Sequence, residues 1–375
     1  MNFIPYGKQF IDEKDIQNVV DTLQSDFLTT GPKIKEFEDT IADYCGAKYC
    51  VAVCNGTAAL HLSSLVLLSE NDKVLTTPNS FLATSNAILY AKAKPIFIDI
   101  AADGNIDLDL CEQALQKDPT IKALYGVSFS GNMLDQQKLK HFKDTYHINI
   151  LEDNAHAIGA IYDGIKAGSC RYSDCSIFSF HPVKHLTTAE GGAITTNSKE
   201  IYEKLLTLRS HGMIKTPKMK PWEYEMHSLG FNYRITDIQC ALGLSQLSKL
   251  NIFIEKRYNI AKNYDKAFQN SIVKPLYPFS NTKSSYHLYV VQVDFTNLNI
   301  TKEKLFIKMK EKNIGLQLHY IPINKQPFYK ELGYGEESTP LMDKYYQECF
   351  SLPMYYSLSD EEQGYVIETL FEILK

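Results

Sequence analysis

Hydrophobic and polar positions alternate in two ways along this chain. Helical spacing runs through Ile11–Leu23, Ile34–Tyr44, Thr57–Leu68, Phe81–Ala91, Leu108–Gln116 and Gln136–Tyr146. Between these stretches lie short unbroken apolar runs: Tyr49–Val53, Val74–Thr76, Ile96–Ile98, Ala123–Val127 and Ile148–Leu151. Short apolar runs flanked by helical segments predict parallel strands covered by helices on both faces. From Gly159 to Asn197 the pattern changes. Asp163-Gly164 between two apolar pairs predicts a hairpin turn, and Ser176–Phe180 and Ala193–Thr195 predict strands around a polar loop. Helical spacing is then nearly continuous over Ile235–Phe268. Beyond it come a strand at Tyr286–Val293, a helix at Lys302–Lys312, a short strand near Leu316–Leu318 and two more helices. The expected architecture is α/β: a large domain over residues 1–250 with a mostly parallel sheet, and a smaller α+β domain over 251–375.

The length, 375 residues, accommodates two such domains with sizeable cores. Lys and Arg total 39 against 44 Asp and Glu, a formal charge of −5 with no long basic run, which argues against nucleic-acid binding. No run approaches the ~18 apolar residues of a membrane-spanning helix. No basic segment followed by an apolar one stands at the amino end, which argues against secretion. The eight cysteines show no CxxC pair and read as reduced thiols of a cytoplasmic protein.

Motif by motif, several chemistries lose weight. There is no GxxxxGK[ST], no GxGxxG after a strand and no HExxH; Gly126-Val127-Ser128 begins like a GxSxG elbow, but Ser130 occupies the last position. Three segments remain, each following a predicted strand. Asn55-Gly56-Thr57 leads into a helix whose first amides and threonine hydroxyl could hold a phosphate, or it is an ordinary capped turn. Asp153, in Glu152-Asp153-Asn154-Ala155-His156, stands at the carboxyl end of a strand, where it could keep a heterocyclic nitrogen protonated; it could equally be a helix cap, and His156 a satisfied core histidine. Lys184 lies between apolar strand ends in a loop closed by Gly191-Gly192. Partial burial would free its amine as a nucleophile, whereas a solvated surface lysine is the plain alternative. A phosphate cradle, a carboxylate for a ring nitrogen and an amine for an aldehyde are together what a pyridoxal-phosphate enzyme needs.

The segments FSFHPVKHLTTAEGGAITTN, EDNAHAIGA, CNGTAAL, RSHGM and LGFNYRITDIQCALGLSQL resemble the sugar aminotransferases of the DegT/DnrJ/EryC1/StrS family over nearly the whole chain. The resemblance implies a fold-type-I aminotransferase that binds pyridoxal 5'-phosphate and works as a homodimer on a shared active site. It implies that Lys184 bonds the cofactor and later shuttles a proton, that Asp153 pairs with the ring nitrogen, and that Phe81 stacks on the ring. Gly56, Thr57 and Ser179 match phosphate-binding positions, His156 stands beside the ring hydroxyl, and Asn232 matches a residue lent to the partner's phosphate site. Tyr6, the stretch Asp26, Phe27, Leu28 and Thr29, and then Gln317, His319 and Tyr320 match substrate contacts. Tyr6 could also be a strand-edge aromatic, and His319 and Tyr320 domain-interface packing.

The implied reaction moves an amino group from L-glutamate to C4 of a UDP-linked 4-keto-6-deoxy sugar. Other implied possibilities are a sugar of D configuration and a dehydratase of the same family. Dehydratases carry histidine where this chain has Lys184. A scaffold that keeps only the fold is a further alternative. Two departures stand out. Relatives often have NSAT where this chain has Asn55-Gly56-Thr57-Ala58, and proline or an apolar residue where it has His185.

Overall fold

The computed structural model describes residues 2–278 and 281–375. Its central sheet contains β1 (Tyr49–Val53), β2 (Lys73–Thr76), β3 (Lys94–Phe97), β4 (Ile121–Val127) and β5 (Asn149–Asp153). After the hairpin β6 (Ile161–Tyr162) and β7 (Ile165–Lys166) come β8 (Cys175–Ser179) and β9 (Gly192–Thr196). The order is β1-β9-β8-β5-β4-β2-β3. Every pairing from β3 across to β8 is parallel, and only β9 runs against its two neighbours.

Large-domain helices are α1 (Glu13–Leu23), α2 (Pro32–Cys45), α3 (Gly56–Leu67), α4 (Leu82–Tyr90), α5 (Leu108–Lys117), α6 (Gln136–Tyr146), α7 (Lys199–Arg209) and α8 (Asp237–Ser248). They cover both faces of the sheet, as the apolar strands require. Successive strand residues feed opposite cores. Val74, Tyr125 and Leu151 pack with Leu60, Ala87 and Leu205, while Leu75, Leu124 and Ile150 pack with Leu115, Leu139 and Phe142. Asp163 and Gly164 take positive φ (45° and 79°), which a two-residue hairpin turn with matched strand twist demands.

The long helical pattern after Ile235 is two helices, not one. Lys249 (φ −104°, ψ −3°) ends α8 and precedes α9 (Leu250–Phe268). Its ammonium pairs with Asp12 at 2.8 Å and Asp15 at 2.7 Å. The break lets α8 pack on α1 and α2 while α9 enters a second core. Periodicity cannot register such a bend, because both helices keep an apolar face.

Two small pairings lie outside the central sheet, and only the second joins residues before 250 to residues after it. β10 (Met213–Ile214) pairs with β11 (Glu225–Met226), and β6 pairs with β13 (Thr282–Lys283), which follows β12 (Lys274–Pro275). β12, β14 (Tyr289–Gln292) and β15 (Cys349–Leu352) form an antiparallel sheet in the order β12-β14-β15. Packed with it are α10 (Lys302–Glu311), α12 (Pro340–Glu348) and α13 (Asp360–Leu374), whereas α11 (Pro327–Glu331) places Tyr329 against Phe97 of β3 and Asn86 of α4. Tyr264, Phe268, Val291, Leu305, Phe350 and Leu370 form the core beside this sheet, and Ile4 from the other end of the chain is buried among them. The strand expected over Tyr286–Val293 is shortened because Tyr286 turns at φ 50°. The one expected near Leu316–Leu318 is a single bridge between Gln317 and Ser351. Among the described residues no helix is long and apolar enough to cross a membrane.

Candidate active site

A cavity of about 560 Å³ opens at the carboxyl ends of β5 and β8, against the first turns of α3 and α4. This is where open α/β sheets bind ligands. Its floor is set by a close approach. Gly56 is the first residue of α3, and a Cβ there would lie 2.9 Å from Ser179 Cβ. Gly192 on β9 is equally confined, since its Cβ would meet the Asn55 carbonyl oxygen at 2.6 Å. Two glycines thus bring a helix amino end down onto two strands. Asn55 caps that helix, its side chain accepting from the Ala58 amide at 2.8 Å. The amides of Gly56 and Thr57 precede the first intrahelical bonds, and the Thr57 and Ser179 side chains line the same cavity. Free amides, hydroxyls and the helix dipole fit a phosphate group.

Asp153 ends β5 and is buried. Its Oδ2 accepts from the Thr84 hydroxyl at 2.6 Å and its Oδ1 from the Ala155 amide at 3.1 Å. Burial pushes its pKa up from the ordinary value, opposed by the Thr84 and Ala155 hydrogen bonds and by the charge of Lys184. Lys184 follows β8 in a loop tied by its amide to His181 O (2.9 Å) and by Thr188 N to Phe180 O (3.0 Å). Burial lowers the Lys184 pKa to about 8, partly offset by Asp153. A larger share of its amine is therefore unprotonated near neutrality than in an ordinary lysine, which favours capture of an aldehyde.

Two rings close the far wall. The Tyr320 hydroxyl lies 3.1 Å from His156 Nε2, and the Ser130 amide donates to His156 Nδ1 at 3.4 Å. Burial, then the charge of Lys184, drives the His156 pKa well down, so the ring is neutral. With Nδ1 accepting, Nε2 carries the proton and donates to Tyr320. Phe81, 61% exposed before α4, faces Tyr320 at 6.4 Å between ring centroids.

The structure gathers Tyr6, Gly56, Thr57, Phe81, Asp153, His156, Ser179, Lys184, Gln317, His319 and Tyr320 around this one cavity. Asp26, Phe27, Leu28 and Thr29 lie outside it, exposed between α1 and α2, with Thr29 bridged to Thr236. Asn232 also lies outside, bridged to Ser210. Sequence reading passed over Thr84, which orients Asp153, and His287, which lines the cavity beside His156 at 4.3 Å between ring centroids. Thr84 falls in the SFLAT segment, but its contact with Asp153 spans 69 residues and leaves no local signal.

A half-buried lysine, a carboxylate at a strand end and a helix-capped phosphate cradle define an aminotransferase of fold type I, and they fit pyridoxal 5'-phosphate. The chain belongs to the DegT/DnrJ/EryC1/StrS aminotransferase family, whose profile matches residues 9–371. It is 41% identical over 374 residues to the UDP-4-amino-4,6-dideoxy-N-acetyl-beta-L-altrosamine transaminase of Campylobacter jejuni, covering 99% of this chain and 98% of the relative. Its structure is similar to that of Helicobacter pylori PseC, an aminotransferase involved in the biosynthesis of pseudoaminic acid. The TM-score is 0.93 at 31% identity, covering 100% of this chain and 99% of that one. A candidate sugar aminotransferase of Streptococcus pneumoniae, solved in its PLP form, matches with a TM-score of 0.91 at 32% identity, over 99% and 98% of the two chains.

Proposed function

We propose that this protein transfers the amino group of L-glutamate to C4 of UDP-2-acetamido-2,6-dideoxy-beta-L-arabino-hexos-4-ulose, using pyridoxal 5'-phosphate. The product is UDP-4-amino-4,6-dideoxy-N-acetyl-beta-L-altrosamine, a step of pseudaminic acid biosynthesis. One observation carries this reading: Lys184 and Asp153 face one cavity with the glycine-built turn of α3, in a chain similar from end to end to named altrosamine transaminases. When bound, the cofactor supplies an aldehyde carbon and a ring that accepts an electron pair. Lys184 Nζ would supply the nucleophile and a proton carrier beside the reacting carbon. Asp153 would offer a carboxylate to the ring nitrogen, held by the Thr84 hydroxyl and Ala155 amide. Gly56, Thr57 and Ser179 would hold the phosphate, and Phe81, His156 and Tyr320, which line the same cavity, would flank the ring.

The sugar nucleotide enters past Tyr6 and the Gln317–Tyr320 segment. We infer a homodimer in which Asp26–Thr29 and Asn232 serve the partner's cavity. Exposed apolar side chains around β10 and β11, among them Trp222 (75%), Tyr224 (64%) and Leu229 (80%), support a covered face there. All eight cysteines are free thiols, which supports a reducing, cytoplasmic setting. The large domain ends where α9 begins.

Incubation with glutamate, pyridoxal 5'-phosphate and a panel of UDP-4-keto sugars tests the reading. The expected result is a 4-amino product of L-altro configuration by NMR. Turnover only with D-configured sugars refutes the substrate assignment, and activity retained in Lys184→Ala refutes the chemistry.

A further inference from the structure

The histidine after Lys184 has an environment that the reaction does not call upon. His185 is 4% exposed, and its Nε2 lies 2.9 Å from the carbonyl oxygen of Ser285. A carbonyl only accepts, so Nε2 carries the proton. Burial, and next the charge of Arg257, lowers the His185 pKa far below its ordinary value. The ring is neutral, and its Nδ1 is a bare acceptor with no partner among the described residues.

Arg257, on α9, is 2% exposed. Its Nη1 donates to three carbonyls, those of Tyr286 (3.2 Å), His287 (3.1 Å) and Met354 (2.9 Å). Its Nε–H has no partner among the described residues. Left dry, each orphan would be a buried polar group without a partner, which is unfavourable. Both residues line one small pocket of about 10 Å³, together with Lys184, Thr187 and Gln246. That is about the room one water molecule requires, and the polar side chains share the lining with Phe10, Pro182, Phe253 and Tyr356.

We propose that this pocket is a binding site for a single ordered water, which accepts from Arg257 Nε–H and donates to His185 Nδ1. The pairing selects the ligand. A halide would satisfy the guanidinium but leave Nδ1 facing a second acceptor. Water has both a lone pair and a proton to give. Proline or an apolar residue at position 185 offers neither the Ser285 bond nor the Nδ1 acceptor. Here the histidine ties the Lys184 loop to residues 285–287 directly and to α9 through the water. This inference does not depend on which sugar the enzyme uses.

A crystal structure of the wild-type holoenzyme at better than ~1.8 Å, with a parallel bromide soak, tests it. The expected density is one peak within hydrogen-bond distance of Arg257 Nε and His185 Nδ1, without bromide anomalous signal. In His185→Phe crystals the peak is lost, while the Arg257 contacts to the three carbonyls persist. An empty pocket, an anomalous bromide peak, or a peak of full occupancy in His185→Phe overturns the proposal.

Discussion

The Tyr320 hydroxyl stands 3.1 Å from His156 Nε2, joining the small-domain segment to the end of β5. Because the Ser130 amide occupies Nδ1, the histidine donates, and the hydroxyl proton of Tyr320 is free for the cavity. Removing that acceptor leaves a buried Nε2–H unpaired, at a cost of about 1–3 kcal/mol. Tyr320→Phe should therefore lower the unfolding free energy of the cofactor-free protein, read from urea titrations, by that amount. A Tyr320→Phe/His156→Leu double variant should lose less than the sum of the singles. Strict additivity in this cycle would show that the pair is not coupled.

The cradle rests on the absence of a side chain. At Gly56 an added methyl would sit 2.9 Å from Ser179 Cβ, an atom fixed to the strand rather than the far end of a flexible chain. Relief requires α3 to back away, and overpacking of this kind costs about 1–3 kcal/mol. Gly56→Ala should weaken pyridoxal 5'-phosphate binding by roughly ten- to a hundredfold in an absorbance titration. Gly364→Ala on α13, where a methyl meets nothing within 4 Å, should leave it unchanged.

Much of this layout was legible in the chain because local signals carried it. The apolar runs became strands of the large sheet, and Asp163-Gly164 became the separate β6–β7 hairpin, since strand burial and turn chemistry are short-range properties. The resemblance to aminotransferases agrees with the family match, and Lys184, Asp153 and Gly56 line one cavity. What stayed hidden was long-range. Neither the Thr84–Asp153 bond nor the Tyr320–His156 bond, which spans 164 residues, leaves a trace in spacing. The break at Lys249, whose ammonium pairs with Asp12 and Asp15 from the other end of the chain, was equally invisible, because the helices on both sides keep an apolar face.

Burial of Lys184 has a sign that can be measured. Its pKa is lowered to about 8 in the folded chain, against 10.5 for an ordinary lysine. Between those values the unfolded chain binds more protons, so stability rises with pH through this window. Below pH 8 both states are protonated and the burial penalty is constant. In the cofactor-free protein, the stability difference between wild type and Lys184→Met should move in favour of wild type from pH 8 to pH 10. The rate of pyridoxal 5'-phosphate capture should rise with a midpoint near pH 8. A flat difference and a midpoint near 10.5 would contradict the buried amine.

Asp153→Asn separates charge from shape. The amide keeps the size of the carboxylate: its oxygen can still accept from the Ala155 amide, and its NH2 can donate to the Thr84 hydroxyl oxygen, whose own proton can turn to Ser80. The fold around β5 should therefore survive. Indeed, the wild-type carboxylate is buried with a raised pKa, so replacing it removes a desolvated charge. The urea midpoint of the cofactor-free variant should be equal to or above that of wild type. Turnover should fall by about a hundredfold or more, because the fixed anion at the ring nitrogen is lost while the nucleophile remains. Thr84→Ala should sit between the two. It leaves the charge but removes one hydrogen bond to it, worth about 1.5–3 kcal/mol, hence roughly a ten- to hundredfold loss. If Asp153→Asn instead destabilised the chain and kept near-normal turnover, the carboxylate would be a structural cap for the segment after β5, and the ring nitrogen would need no anion from this chain.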